Sequence, residues 1–127
     1  MGAVRVKVFT RRRSRQRGLW QDCAVTMVTV FRSRLRPGVQ DDYSPVADEM
    51  SRLVQTIDGF MDQRFYISPD GERVTIVRFR DPESHQRWAR HPDHLAAQER
   101  GRGEFYSWYD ISVCEELYSR DFEGPES

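Results

Sequence analysis

The chain has 127 residues, 38% of them hydrophobic and 31% charged, with equal numbers of acidic and basic side chains. That length supports one domain with a modest core, and no apolar run approaches the ~20 residues that a membrane-spanning helix needs. Charge is placed unevenly. Residues 1–22 hold seven basic side chains and one acidic, and the remainder holds 13 basic and 19 acidic, so the mildly acidic main body argues against a nucleic-acid partner.

The elements follow in chain order. Residues 1–22 read as a basic, disordered extension, with a charged interaction arm as the alternative. They do not read as an export signal, because the apolar stretch stands before the positive charges instead of after them. Cys23 and Cys114 lie far apart at no metal or redox spacing, so a reduced, cytoplasmic protein is expected.

Residues 25–35, VTMVTVFRSRL, are rich in β-branched side chains and stop at Pro37-Gly38, a strand followed by a turn. Tyr43, Val46, Ala47, Met50, Leu53, Val54 and Ile57 then recur at helical spacing. Asp41, Asp42 and Pro45 suit the first turn of that helix, and Asp58-Gly59 its end. Residues 60–67 and 73–80 are strands joined by Ser68-Pro69-Asp70-Gly71, a type I turn sequence, and so form a hairpin. Asp81-Pro82 caps a second helix, which Pro92 bends at His91. Residues 104–117, EFYSWYDISVCEEL, are a last aromatic strand, and residues 119–127 an acidic tail.

The order is βαββαβ, an α+β ferredoxin-like arrangement with a four-stranded antiparallel sheet over residues 23–118. Three of the strands carry large apolar groups at both odd and even positions, so both sheet faces ask for burial. One helical layer cannot cover both, and a homodimer packed sheet to sheet is expected.

The segments VTVFRSRLRPG (28–38), GERVTIVRFRDPESHQRWARHPDHLAAQERGR (71–102) and EFYSWYDISVCE (104–115) resemble the antibiotic biosynthesis monooxygenase family. The resemblance implies a dimeric α+β barrel with a ligand cavity between helices and sheet in each subunit. Some members of that family oxygenate aromatic polyketides without flavin, haem or metal. Trp88 matches the tryptophan that cavity-bearing members carry on this helix. Gln98 and Phe31 stand where haem-degrading members place a histidine and an asparagine, and an amide is a poor iron ligand, so haem degradation is disfavoured.

The expected activity is therefore cofactor-independent oxidation, by molecular oxygen, of a small aromatic substrate such as a polyketide-like anthrone or quinol. Trp88 and His91 are the catalytic candidates, and Phe31, Phe65, Gln98 and Tyr106 the substrate-binding ones. His91 has two readings: a proton carrier at the cavity mouth or a side chain bonding helix-end carbonyls. A metal at His91-Pro92-Asp93-His94 is disfavoured, because Pro92 breaks the helical face that would bring the imidazoles together. The competing function is a non-catalytic ligand-binding or accessory protein, or a cyclase or isomerase, on the same fold. An open cavity of roughly a few hundred Å³ with polar groups pointing inward favours the enzyme, and a cavity filled by its own aromatics favours the accessory protein.

Overall fold

The computed structural model describes the backbone of residues 5–10 and the whole of residues 25–125. Its elements are β1 (Arg5–Thr10), β2 (Met27–Leu35), α1 (Gln40–Val54), β3 (Phe60–Ile67), β4 (Arg73–Phe79), α2 (Pro82–Ala89), α3 (Pro92–Arg100), a π-helical turn (Gly101–Phe105) and β5 (Tyr106–Glu115). The strands form one sheet in the order β1-β3-β4-β2-β5, with every neighbouring pair antiparallel. Strands β2 to β5 are the expected ferredoxin-like unit.

The fifth strand corrects the expectation for the amino-terminal segment. Arg5–Thr10 are paired with Ile67 through Asp62 of β3, so this part of the basic segment belongs to the sheet. Its pairing satisfies an edge that would otherwise present a row of open backbone groups. Residues 11–22, with the arginine run, lie outside the described residues.

Local chemistry explains the remaining boundaries. Gly71 adopts φ 93° at the end of the β3–β4 turn, and its amide donates to the Ser68 carbonyl at 3.0 Å, as the turn sequence requires. Asp81 caps α2: its carboxylate accepts from the Ser84 amide at 2.8 Å and the Ser84 hydroxyl at 2.7 Å. His91 is the cap of α3. Its backbone is extended, and Nδ1 accepts from the Asp93 amide at 3.1 Å, so the bend at Pro92 is real and the side chain serves amides, not carbonyls. Pro45 sits inside α1 and not in its first turn, because the helix already begins at Gln40. The last strand starts at Tyr106, two residues later than expected, since Gly101–Phe105 wind into the π-helical turn.

Alternation sorts the sheet into two faces. The helix-covered face carries cross-strand rows, read from the register: Met27 and Phe79, then Thr29, Val77, Gln63 and Val113, then Phe31, Thr75, Phe65 and Ile111, then Ser33, Arg73 and Tyr109. The first end is solid. Val54, Ile57, Phe60, Val77 and Phe79 form the core, with Met27 and Trp88 packed against it.

The opposite face holds Val28, Val30, Val74 and Ile76 half-buried at its centre. Ion pairs flank this patch: Arg32 with Glu72 and Asp110, and Arg78 with Asp62 and Glu116. Strand β5 lies at the sheet edge and leaves Trp108, Ile111 and Val113 40–48% exposed. Beyond it residues 116–125 form no regular element, and Leu117, Tyr118 and Phe122 stand in solvent. No helix among the described residues is long and apolar enough to cross a membrane.

Candidate functional site

Beyond the solid end the helices stand off the sheet and enclose a cavity of ≈ 280 Å³. Its floor is the Thr29–Val77–Gln63 and Phe31–Thr75–Phe65 rows. One wall is the inner stripe of α1, with Tyr43, Ala47 and Met50. The α2–α3 bend supplies Trp88, His94 and Gln98, and the far end is closed by Phe105 and Tyr106 with Arg73. Alanines at 47, 89 and 97 stand on the lining helices where bulkier side chains would fill the space.

The α2–α3 bend sets the first reactive group. Breaking the helix at His91 turns α3 back so that His94 stacks on Trp88, with ring centroids 3.9 Å apart and planes 17° from parallel. His94 Nδ1 lies 2.9 Å from the Trp88 carbonyl. A carbonyl only accepts, so Nδ1 carries the hydrogen and Nε2 keeps its lone pair. The Gln98 amide nitrogen approaches that Nε2 at 3.5 Å. Burial lowers the His94 pKa, and the neighbouring His91 and His85 lower it further, against the raising effect of the Trp88 carbonyl. His94 is therefore neutral at physiological pH, with a basic nitrogen on a mostly apolar cavity. His85, also on the lining, is lowered by burial and packs edge-on against Phe79.

The second polar group sits at the opposite end. The Tyr43 and Tyr106 hydroxyls are 3.2 Å apart, and the Tyr106 ring packs edge-on against Phe31 and Tyr43 at 5.5 and 5.7 Å. Burial raises the Tyr106 pKa far above the ordinary phenol value, and Tyr43's charge and hydrogen bond add to this, so its hydroxyl stays protonated. The π-helical turn aims the ring. Arg36 donates to the carbonyls of Gly103, Arg102 and Tyr106 at 2.9, 3.1 and 3.1 Å, gathering carbonyls that the wider turn leaves open. A Cβ at Gly101 would overlap the Tyr106 ring, so the glycine leaves room for that ring to lie over the turn.

Five of the six sequence candidates meet in this cavity: Trp88, Phe31, Phe65, Gln98 and Tyr106 line it. His91 does not line it, since the cap of α3 occupies its ring; the histidine that faces the cavity is His94, three residues on. Sequence reasoning also missed Tyr43, which it counted only as part of an apolar stripe. It missed Arg73, Gln63 and Thr29 as well, although strand alternation puts all three on the face of Phe31 and Phe65. Among the described residues, Thr29 Oγ1, Gln63 Oε1 and Arg73 Nε are buried without a hydrogen-bond partner in the protein. Buried polar atoms are almost always satisfied in folded proteins, so three such atoms on one cavity mark a place prepared for a ligand.

Comparison with other proteins gives a consistent family. YqjZ of Bacillus subtilis (strain 168) is 28% identical over 72 residues, which are 57% of this chain and 63% of YqjZ. The chain thus spans somewhat under two thirds of that relative's length. Rv0793 from Mycobacterium tuberculosis shares the fold with a TM-score of 0.68 at 20% identity, covering 76% of this chain and 99% of that one. A mutant of SnoaB, a cofactor-independent oxygenase from Streptomyces nogalater, superposes with a TM-score of 0.64 at 14% identity, covering 74% and 95%. Residues 26–100 match the family model of the antibiotic biosynthesis monooxygenases, and the chain belongs to that family.

Proposed function

We propose that the protein oxygenates a planar, electron-rich aromatic substrate with molecular oxygen and no cofactor. The observation that carries this reading is the His94–Trp88 pair: a neutral imidazole, its tautomer fixed by the Trp88 carbonyl, presenting Nε2 to an aromatic-walled cavity. That is the equipment for removing a proton from an acidic C–H or phenolic O–H in a dry setting. For an anthrone, His94 takes a proton from the ring methylene. The resulting carbanion passes electrons to O2, one oxygen atom becomes the quinone carbonyl, and the other leaves as water with the two methylene hydrogens. The substrate supplies every electron, so the protein needs only to bind, orient and deprotonate. Phe31 and Phe65 form the flat floor, Trp88 the roof, and Gln98 steers the proton acceptor.

The family and the likeness to SnoaB, itself a cofactor-independent oxygenase, support this reading. The open cavity with inward polar groups favours it over an accessory protein on the same fold. The test is oxygen consumption with an anthrone. The parent should raise quinone formation well above the uncatalysed rate, and chelators should leave it unchanged. His94→Ala should lower turnover roughly 10²–10⁴-fold, the usual range for losing a general base, while His91→Ala should leave it within about twofold. Because the His94 pKa lies below the ordinary histidine value, the acid limb of the rate profile should fall below pH ~6.5. A parent that binds anthrones but never exceeds the background rate would leave the accessory reading standing.

The working unit in this proposal is a homodimer. The Val28–Val30–Val74–Ile76 patch and the uncovered β5 surface are the apolar area that a second copy would bury. Light scattering should give twice the 15.0 kDa chain mass; a folded monomer at micromolar concentration would remove the sheet-to-sheet arrangement.

A further inference from the structure

We propose that the cavity is a two-ended receptor for a hydroxyaryl acid, with a carboxylate held by Arg73 beside the Tyr43–Tyr106 pair and a hydroxyl given to Gln63 and Thr29. The inference rests on the aromatic-substrate reading above and narrows its substrate class.

The anion end is built from donors whose capacity the protein fills only in part. The Arg73 guanidinium carbon lies 4.7 Å from the Phe65 ring centre and 5.1 Å from that of Tyr43. Its NH1 donates to Gln40 Oε1 at 3.3 Å, and its Nε is buried with no acceptor in the protein. Among the described residues no carboxylate forms an ion pair with Arg73. Ring faces soften the loss of water around a guanidinium, yet they do not replace an anion. Beside it, two tyrosine hydroxyls share one contact of 3.2 Å. One of their two hydrogens fills that contact and the other remains to donate. A guanidinium edge plus a phenolic O–H fits two carboxylate oxygens.

The other end has the opposite polarity. Gln63 Oε1 only accepts, Thr29 Oγ1 can accept, and both are buried without a protein partner. A ligand hydroxyl supplies the missing donor. Arg73 stands four residues along β4 from Val77, which pairs with both Thr29 and Gln63. At about 3.3 Å per residue the two rows are about 13 Å apart, with the flat Phe31–Thr75–Phe65 row between them. Side chains reach inward from both rows, so a bicyclic ring system substituted at opposite ends spans what is left, and a cavity of ≈ 280 Å³ admits it.

The experiment measures binding of 6-hydroxy-2-naphthoate, its methyl ester and 6-methoxy-2-naphthoate to the full chain by calorimetry at pH 7.5. The acid should bind at least about tenfold more tightly than the ester, the gain expected of one charge-assisted pair. Arg73→Gln should erase that preference while leaving the ester's affinity within about threefold. Arg73→Lys, which keeps the charge and loses the fork, should retain part of it and stands in if Arg73→Gln does not fold. Thr29→Val with Gln63→Leu should erase the preference for hydroxyl over methoxy and keep that for acid over ester. Equal binding of acid and ester by the parent, an acid preference that survives in Arg73→Gln, or no binding of any probe would overturn the proposal. The readout is separate from turnover: acid selectivity without oxidation removes the oxygenase reading alone, and oxidation without acid selectivity removes this subsite alone.

Discussion

The two ends of one sheet face are made from the same strands and behave oppositely. At one end Phe60 and Phe79 meet edge-on at 6.4 Å, and Val54 and Ile57 fill the space above them. At the other end the same strands continue into Thr29, Thr75, Gln63 and Arg73 under alanines, and the helices enclose a hollow. The contrast teaches that the cavity is not poor packing. It begins where residue size falls and polarity rises on facing elements together, and its polar atoms face inward without partners. The packed core lies at one end and the unpartnered polar atoms at the other.

Substitutions on the two ends should therefore separate cleanly. Phe79 is fully buried, and Phe79→Ala should cost about 3–5 kcal/mol, as large cavities in solid cores do. Thr29→Val keeps the shape and removes a buried hydroxyl with no partner, so it should change stability by less than about 1 kcal/mol or raise it. Chemical denaturation of both variants measures the pair. A small loss for Phe79→Ala, or a loss above about 2 kcal/mol for Thr29→Val, would show that the hollow end is part of the load-carrying core.

Two glycines sharpen the comparison at intermediate size. Gly59, φ 94°, brings the chain from α1 into β3 at the solid end, where a Cβ would overlap the Ser84 side chain. Gly59→Ala adds a left-handed-backbone penalty to a clash with the α2 cap, and about 1–3 kcal/mol should be lost. Gly101 at the hollow end has an ordinary helical backbone, so Gly101→Ala should cost less. Its effect should appear in binding instead, because the displaced Tyr106 ring leaves the cavity. If Gly101→Ala destabilised the fold as much as Gly59→Ala and left ligand affinity intact, the π-helical turn would be a structural joint and not a device for aiming Tyr106.

How legible each end was depends on what carried its signal. Periodicity and turn chemistry report burial and breaks, and they placed the two hairpin strands, the Asp81 cap and the bend at Pro92. The first strand was missed because the arginine run dominated the reading. Yet Val4, Val6 and Val8 alternate with Arg5 and Lys7, which is an ordinary edge-strand pattern. At the site, resemblance pointed to Trp88, and aromatic content to Phe31, Phe65 and Tyr106. The polar half was harder. Choosing His94 over His91 required knowing which imbalance Pro92 creates: the histidine before it becomes the cap, and the one after it turns inward. Arg73 was hidden for another reason. An arginine beginning a strand usually faces water, and only the register beside Ser33 and Ile67 shows that it stands on the helix-covered face.

The smallest expected effect concerns pH, and again the hollow end supplies it. His94 and His85 both border the cavity, and burial lowers the pKa of each. A histidine whose folded pKa lies below its unfolded value of about 6.5 resists a proton that the unfolded chain accepts. Its contribution is fully present above pH ~6.5 and is lost as pH falls from there through the folded pKa, where the loss levels off. Asp81 acts in a lower window. Burial pushes its pKa up, but bonds from the Ser84 hydroxyl and amide and from Arg80 outweigh this and leave it below the ordinary carboxylate value. Its stabilisation therefore persists until pH falls below the usual carboxylate range. Between pH 7.5 and 5 the melting temperature should drop as the unfolded chain takes up protons that these two imidazoles resist. A variant carrying His85→Gln and His94→Gln should show a visibly flatter dependence over that interval. Melting curves at matched ionic strength decide it: equal slopes for parent and variant would mean that neither imidazole is held neutral by the cavity, and the base assigned to His94 would lose its physical footing.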